Sequence, residues 1–286
     1  MRNRLSQIDT IDKLEKELEN CDFINIFTDE LLIEIRKTLD PFEEKGYIYS
    51  INDATIVGIF TKLYKHFYLF QTAYKKREYE TLVLLTRPIY EAFVIMKYLI
   101  LKGESSQRHY RLVSYRRRYQ NTKELEESGG IGQVLLEKLK TAMTIDGFSY
   151  NDFEGENSKK KGRKWELDGK NFSEIHKEVE NHKSYPYVYG ALSEVIHSGW
   201  GDVRQLHLTY CEGDFFIPNL NFNDYNDIRI INNIISIMIE ATESFLVWAE
   251  REDEINFYNE YKKTNDLMTK LILRNYEINP EKYMYE

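Results

Sequence analysis

The chain has little of what staples or punctuates a fold. Its 286 residues include two cysteines, Cys21 and Cys211, five prolines and fourteen glycines. Two thiols make no disulfide framework and fit a reducing compartment. So few proline and glycine breaks argue against an all-β sandwich or barrel, where turn signals recur every ~8–12 residues. A clean membrane-spanning run is missing too. The stretch Leu82 to Ile100 is greasy but carries Arg87, Glu91 and Lys97, and a charge mid-bilayer costs about 2.5–3.5 kcal/mol. The opening segment, MRNRLSQIDTIDKLEKELEN, lacks the apolar centre of a secretion signal and reads as a charged helix. A soluble, cytoplasmic protein without a membrane partner is expected. The net charge of −8 excludes a surface that traps polyanions everywhere and leaves only local basic patches for such contacts.

Metal and phosphate-loop signatures are also wanting. The histidines at 66, 109, 176, 182, 197 and 207 form no HExxH, and the cysteines form no CxxC. The glycines of ESGGIGQ follow no strand and precede no Gly-Lys-Thr, so they make a poor phosphate loop. Neither a metal nor a cofactor is expected.

What is present is helix-forming. A 42% hydrophobic and 14% aromatic content supplies a sizeable core. Residues 8–20 and 28–39 read as two short helices, the second stopped by Asp40-Pro41. Ile56, Ile59, Phe60, Leu63, Phe67, Phe70 and Tyr74 recur at three- and four-residue steps and predict a long amphipathic helix. Thr81 to Leu101 is apolar nearly all round, as in a helix enclosed by neighbours, with Gly103 as its terminator. A charged helix from Ser105 to Glu127 and a shorter one over 131–143 follow. Residues 146–170, rich in glycine, asparagine and charge, read as a long surface loop before helices near 172–182 and 187–198. Alternation over 203–218 around Glu212-Gly213-Asp214 predicts a β-hairpin. From Asp224, the face Ile228, Ile231, Ile235, Met238, Thr242, Phe245 and Ala249 predicts a strong helix, running on to a further one that ends near Arg274. The expected class is all-α: a multi-helix bundle with one small β-hairpin, over residues 46–286, preceded by an N-terminal helical arm, 1–45.

Two polar pairs stand out. Arg87 and Glu91 lie one turn apart in the most enclosed helix, on a stripe with Leu84, Val94 and Tyr98. An unpaired charge there would cost about 3–5 kcal/mol, so one reading is an internal ion pair that fixes register. The other has Arg87 lining a pocket and offering its guanidinium to a phosphate or carboxylate, with Glu91 orienting it. Pro88 adds a kink. Ser193 and His197 are also one turn apart. His197 reads either as a helix-end residue favoured by the dipole, with Gly199 as the cap, or as a general acid/base, with Ser193 orienting the ring or binding substrate. A serine hydrolase using Ser193 would lack an evident acidic third member. Arg116, Arg117 and Arg118 form a cationic helix stretch, and Lys159, Lys160, Lys161, Arg163 and Lys164 stand beside Trp165. Such runs are either solvated surface or contacts to single-stranded nucleic acid.

Several of these pieces, taken in order, resemble an uncharacterised family of bacterial all-helical proteins known only as a domain of unknown function. The residues that carry the resemblance are LTRPIYEAF with Arg87-x3-Glu91, Trp165 before a helix containing Ile175, and Tyr187-x5-Ser193-x3-His197, within about residues 50–250. The resemblance implies that Arg87, Glu91, Ser193 and His197 are signature polar positions. In layout such proteins are similar to the HEPN class, which includes metal-independent ribonucleases of toxin and phage-defence systems. Here the chain departs from the pattern: HEPN nucleases carry their arginine and histidine four to six residues apart on one helix, whereas this sequence has Arg204-x2-His207 in the expected hairpin. The candidate arginine and histidine come from different predicted helices instead. The enzymatic expectation, motivated by an arginine–histidine pair in a helical protein without metal-ligand motifs, is RNA cleavage by Arg87, Glu91 and His197, with Ser193, Tyr90, Tyr98, Arg116 and Arg117 as substrate contacts. The alternative is a non-catalytic sensor or adaptor that binds a small anion or a protein partner. Homodimerisation is the base-rate expectation.

Overall fold

A computed structural model describes residues 2–20, 22–39, 49–126, 130–149, 165–180, 200, 203–204, 207–211, 215–220 and 226–278. Among them are ten α-helices and one two-stranded antiparallel sheet. The helices are α1 (Arg2–Leu5), α2 (Ile11–Leu18), α3 (Phe23–Leu39), α4 (Ile51–Lys75), α5 (Tyr79–Lys102), α6 (Glu104–Glu126), α7 (Ile131–Ile145), α8 (Phe172–Val179), α9 (Ile228–Trp248) and α10 (Asn259–Ile278). Strands β1 (Leu208–Cys211) and β2 (Phe215–Pro218) pair in the register Tyr210 opposite Phe216. The all-α class with a small hairpin is what the periodicity predicts. The helix expected near 187–198 lies outside the described residues.

Chain contacts divide the molecule into two compact units: residues 1–47, 58–97 and 183–286 in the first, 48–57 and 98–182 in the second. In the first unit the apolar face of α9 is sealed, with Ile231, Ile234, Ile235, Met238, Ala241 and Phe245 buried. Phe60 of α4 stacks on Phe245 at 4.5 Å between ring centroids, and α10, whose Met268 and Leu271 are buried, packs beside α9. Two side-chain hydrogen bonds bridge the polar seam between them: Asn232 Nδ2 donates to Thr269 Oγ1 at 3.0 Å, and Asn265 Nδ2 to Ser236 Oγ, while the Oδ1 atoms of both asparagines meet no donor among the described residues. It is α9, not Leu82–Ile100, that is long and apolar enough to cross a membrane by length and composition. Within that window 56% is buried inside the protein, as for the core helix of a soluble protein.

The segment expected as an arm packs into this first unit. Leu14, Phe23 and Phe27 are fully buried, Phe27 meets Tyr261 of α10 edge-on at 5.4 Å, and Arg274 of α10 reaches Glu15 of α2 at 2.9 Å. The apolar positions of these charged helices are few, but they fall on one face, which suffices to dock them.

The second unit is built on α6 and α7, whose shared core is Tyr119, Leu139, Met143 and Phe148. Arg111, buried in α6, donates to Thr55 Oγ1 at 2.6 Å and Asn52 Oδ1 at 2.9 Å in the first turns of α4. Gly103 takes φ +75° between α5 and α6, the left-handed turn that a helix terminator of this kind supplies. Of the expected loop 146–170, residues 150–164 lie outside the described residues. The last part is a tight turn: Leu167 and Lys170 exchange two backbone hydrogen bonds of 2.9 Å, with Asp168 at φ +54° and Gly169 at φ +75°. Two successive positive φ values are the type I′ hairpin turn, for which Asp-Gly is a preferred pair. Asn171 then opens α8 with a capping box to Glu174.

Candidate functional site

In the first unit the sequence-predicted ion pair forms. Arg87 Nε donates to Glu91 Oε1 at 2.8 Å along one face of α5. The guanidinium side chain is only 13% exposed and the carboxylate 35%, so the arginine is the enclosed partner and the glutamate the one that reaches outward. The stripe they share changes along its length: Leu84 is half exposed, Val94 and Tyr98 are sealed. Pro88 sits inside the helix. It has no N–H to donate to the carbonyl of Leu84, so that turn lacks one backbone hydrogen bond. Tyr90, expected among the substrate contacts, is buried and packs against Phe93. Ser193 and His197, with Lys159, Lys160, Lys161, Arg163 and Lys164, lie outside the described residues.

In the second unit Tyr98 is also sealed, and its hydroxyl donates to Asp168 Oδ2 at 3.1 Å. Arg116 is half-buried on α6, with its Nε shielded from solvent and unpartnered among the described residues. The side chain of Arg117 is outside the described ones.

Asp168 is the centre of a cluster that the sequence motifs missed. Ser106 Oγ donates to its Oδ2 at 2.6 Å, and His109 Nδ1 lies 2.8 Å from Oδ1. The same Nδ1 is 2.9 Å from the backbone N–H of Asp168. One ring nitrogen cannot serve both partners in one protonation state. A neutral Nδ1 accepts from the amide, and a protonated Nδ1 donates to the carboxylate. Either way the Nδ1 edge is anchored, with the aspartate as orienter. Burial works to raise the Asp168 carboxyl pKa, but the hydrogen bonds from Ser106, His109 and Tyr98 outweigh it and hold the value below the ordinary one. Ser106 points its hydroxyl at the aspartate, so it orients the acid and is not placed as a nucleophile activated by His109.

Lys102 and Lys170 frame this cluster. Each ammonium lies over the Tyr98 ring, at 5.6 and 5.5 Å from its centroid. Both pair with Glu178 of α8, Lys102 at 2.7 Å. The positive charge is thus largely spent within the site. Chemically, the arrangement holds an oriented imidazole and pins the Asp168-Gly169 turn to α6. Among the described residues, no three His, Cys, Asp or Glu side chains assemble as metal ligands.

Residues 53–216, more than half of the chain, match the model of a family of unknown function, DUF5677. The chain belongs to that family. The DUF5677 stretch takes in Arg87, Glu91, Ser193 and His197, and also the Asp168 cluster, while α2, α3, α9 and α10 fall outside it. No curated protein and no solved structure matches the chain. The Asp168 cluster did leave one readable signal: Asp-Gly flanked by Leu167 and Lys170 is a two-residue hairpin turn by composition. That the turn would meet His109, 59 residues earlier, had no signature at all.

Proposed function

We propose that this DUF5677 protein cleaves RNA by acid–base chemistry, using Arg87, Glu91 and His197. The observation that carries the reading is the enclosed Arg87 guanidinium, 13% exposed and held by Glu91 through Nε at 2.8 Å. A cation withdrawn from water is worth more to a developing phosphorane than one in bulk solvent, and it needs no reorganisation when the charge appears. His197 takes the proton of a ribose 2′-hydroxyl. The 2′-oxygen then bonds to phosphorus, the bond to the 5′-oxygen breaks, the leaving oxygen takes a proton from water, and His197 returns its proton to solvent. The products are a 2′,3′-cyclic phosphate and a free 5′-hydroxyl. Ser193, four residues before His197 in the sequence, orients the ring. The reading places the protein in the cytosol, where toxin and phage-defence ribonucleases meet their substrates.

The test is incubation of purified protein with single-stranded RNA in EDTA, read on a gel. Arg87→Ala is expected to lower the cleavage rate about 10²–10³-fold, as does loss of one oxyanion donor, and His197→Ala about 10²–10⁴-fold. Absence of cleavage by the wild type, or wild-type rates for both variants, overturns the proposal.

A second reading, a non-catalytic sensor or adaptor, is favoured by the fact that Arg87 Nε already has a partner in Glu91 on the same helix, as in a structural ion pair. It predicts no turnover by the wild type and a lowered melting temperature for Arg87→Ala.

A further inference from the structure

Ahead of the hairpin in the first unit, Trp200, Val203 and Arg204 are helical. The His207 N–H donates to the Val203 carbonyl at 3.1 Å, and the Asn219 N–H to the His207 carbonyl at 2.9 Å. These two backbone bonds join the residues around Arg204 to the start of β1 and to the chain leaving β2. On the hairpin Tyr210 stands opposite Phe216, so the two rings share one face of the sheet. They pack edge to face at 5.5 Å between centroids, and Trp200 meets Phe216 in the same manner at 6.2 Å.

The three rings hold one another but are not covered. Trp200 is 63% exposed and Tyr210 57%, with Phe216 also open to solvent. Large aromatic rings contribute most when they leave water, so these forgo much of what burial supplies. Gathered on one surface, they mark a place of contact and not a core. Arg204 adds a cation. It stands four residues after Trp200, the spacing at which two helical side chains share a face. Its side chain is exposed and makes no hydrogen bond or ion pair among the described residues. It carries the one fixed charge among the described residues of 200–220, while Asp202, Glu212 and Asp214 fall outside them.

We propose that Trp200, Tyr210 and Phe216 form a stacking platform for single-stranded RNA, with Arg204 on a backbone phosphate. Open π-faces take any unpaired base, and a guanidinium beside them takes the phosphate that follows. A protein anchor asks for a pocket to fill, whereas this patch presents ring surfaces. With one cation at hand, stacking carries the affinity and salt weakens it only slightly. The choice of RNA as the strand rests on the cleavage reading; the stacking platform itself does not.

Fluorescence anisotropy of the full chain with a labelled single-stranded 2′-O-methyl RNA tests it. This probe has no 2′-hydroxyl, so the chemistry above cannot cut it. The wild type is expected to bind, with log affinity falling against log salt at a slope of about −0.7, one phosphate on a single strand. Trp200→Ala and Tyr210→Ala are each expected to weaken binding about tenfold or more, the loss of one base stack. Trp200→Phe keeps a π-face and most of the affinity. Arg204→Gln brings the salt slope towards zero. Ile217→Ala, exposed but on the other face of the hairpin, leaves binding unchanged. No binding at high micromolar concentration, equal binding of an RNA duplex whose bases are already stacked, or unchanged affinity in both alanine variants overturns the platform. So does a wild-type dimer in sedimentation velocity that Trp200→Ala dissociates, which makes the patch a contact between two copies. Platform and cleavage fail separately. Binding without cutting leaves the platform standing, and cutting with binding untouched by the variants leaves only the cleavage.

Discussion

Asp168 gathers three side-chain hydrogen-bond partners on one carboxylate while its own backbone sits at positive φ. The strain is modest for an aspartate in a type I′ turn, and the bonds from Ser106, His109 and Tyr98 offset it. Because the folded protein holds this carboxyl below its unfolded value of 3.8, the folded state binds fewer protons there. The resulting stabilisation is complete above about pH 4–5 and is lost as the pH falls through the lowered value. Urea denaturation at pH 7 should find Asp168→Asn less stable than the wild type by about 1–3 kcal/mol, the cost of spoiling a partly buried charge-assisted network. The gap should close towards pH 3. A gap that stays constant from pH 7 to pH 3 would show that the charge on Asp168 plays no part. At the same scale, Arg87–Glu91 was legible in the sequence because i and i+4 on a helix must meet. His109–Asp168 was not, since nothing local links residues so far apart, and only the docking of the turn on α6 brings them together.

Among the elements, α5 is the one whose sequence conflicts with its own regularity. A proline inside a helix ordinarily costs about 3 kcal/mol, yet Pro88 stands next to Arg87, in a helix that is sealed from Ile89 to Leu99 along its buried face. Restoring the missing bond with Pro88→Ala should raise the melting temperature, by up to about 3 kcal/mol of stability. If the interrupted turn at Pro88 aims Arg87, the same variant should lose RNA cleavage. A rise in stability with cleavage untouched would leave the proline without a role at the site. The helices themselves were readable from spacing: the strong face of α9, the terminator Gly103 and the long amphipathic α4 all form as the pattern requires. The hairpin formed as well, but its alternation did not translate into burial, for Tyr210 and Ile217 are both more than half exposed. Period-two patterning says which side chains share a face, and tertiary packing decides whether that face is covered.

For the molecule as a whole, the charged N-terminal helices are the lesson. Composition makes α2 look like a detached arm, but its Leu14 is fully buried, and α2 packs along α10 with Arg274 bridging to Asp12 and Glu15. Leu14→Ala should therefore cost about 2–5 kcal/mol, as for a core leucine, and lower the melting temperature of the full chain. A detached arm would tolerate the change with no shift at all. The exposed ion pairs around it should matter far less, about 0–1 kcal/mol each.

The sequence by itself determined the helical class, most helix positions, the small hairpin, the Arg87–Glu91 pair and the family. Each of these is written in local spacing, in the steps of three, four or two residues that a backbone period imposes. Tertiary structure alone decided that α2 and α3 join the core and that Asp168 orients His109. Those facts depend on which surfaces exclude water together, and burial is a property of the packed chain that no short stretch of residues carries.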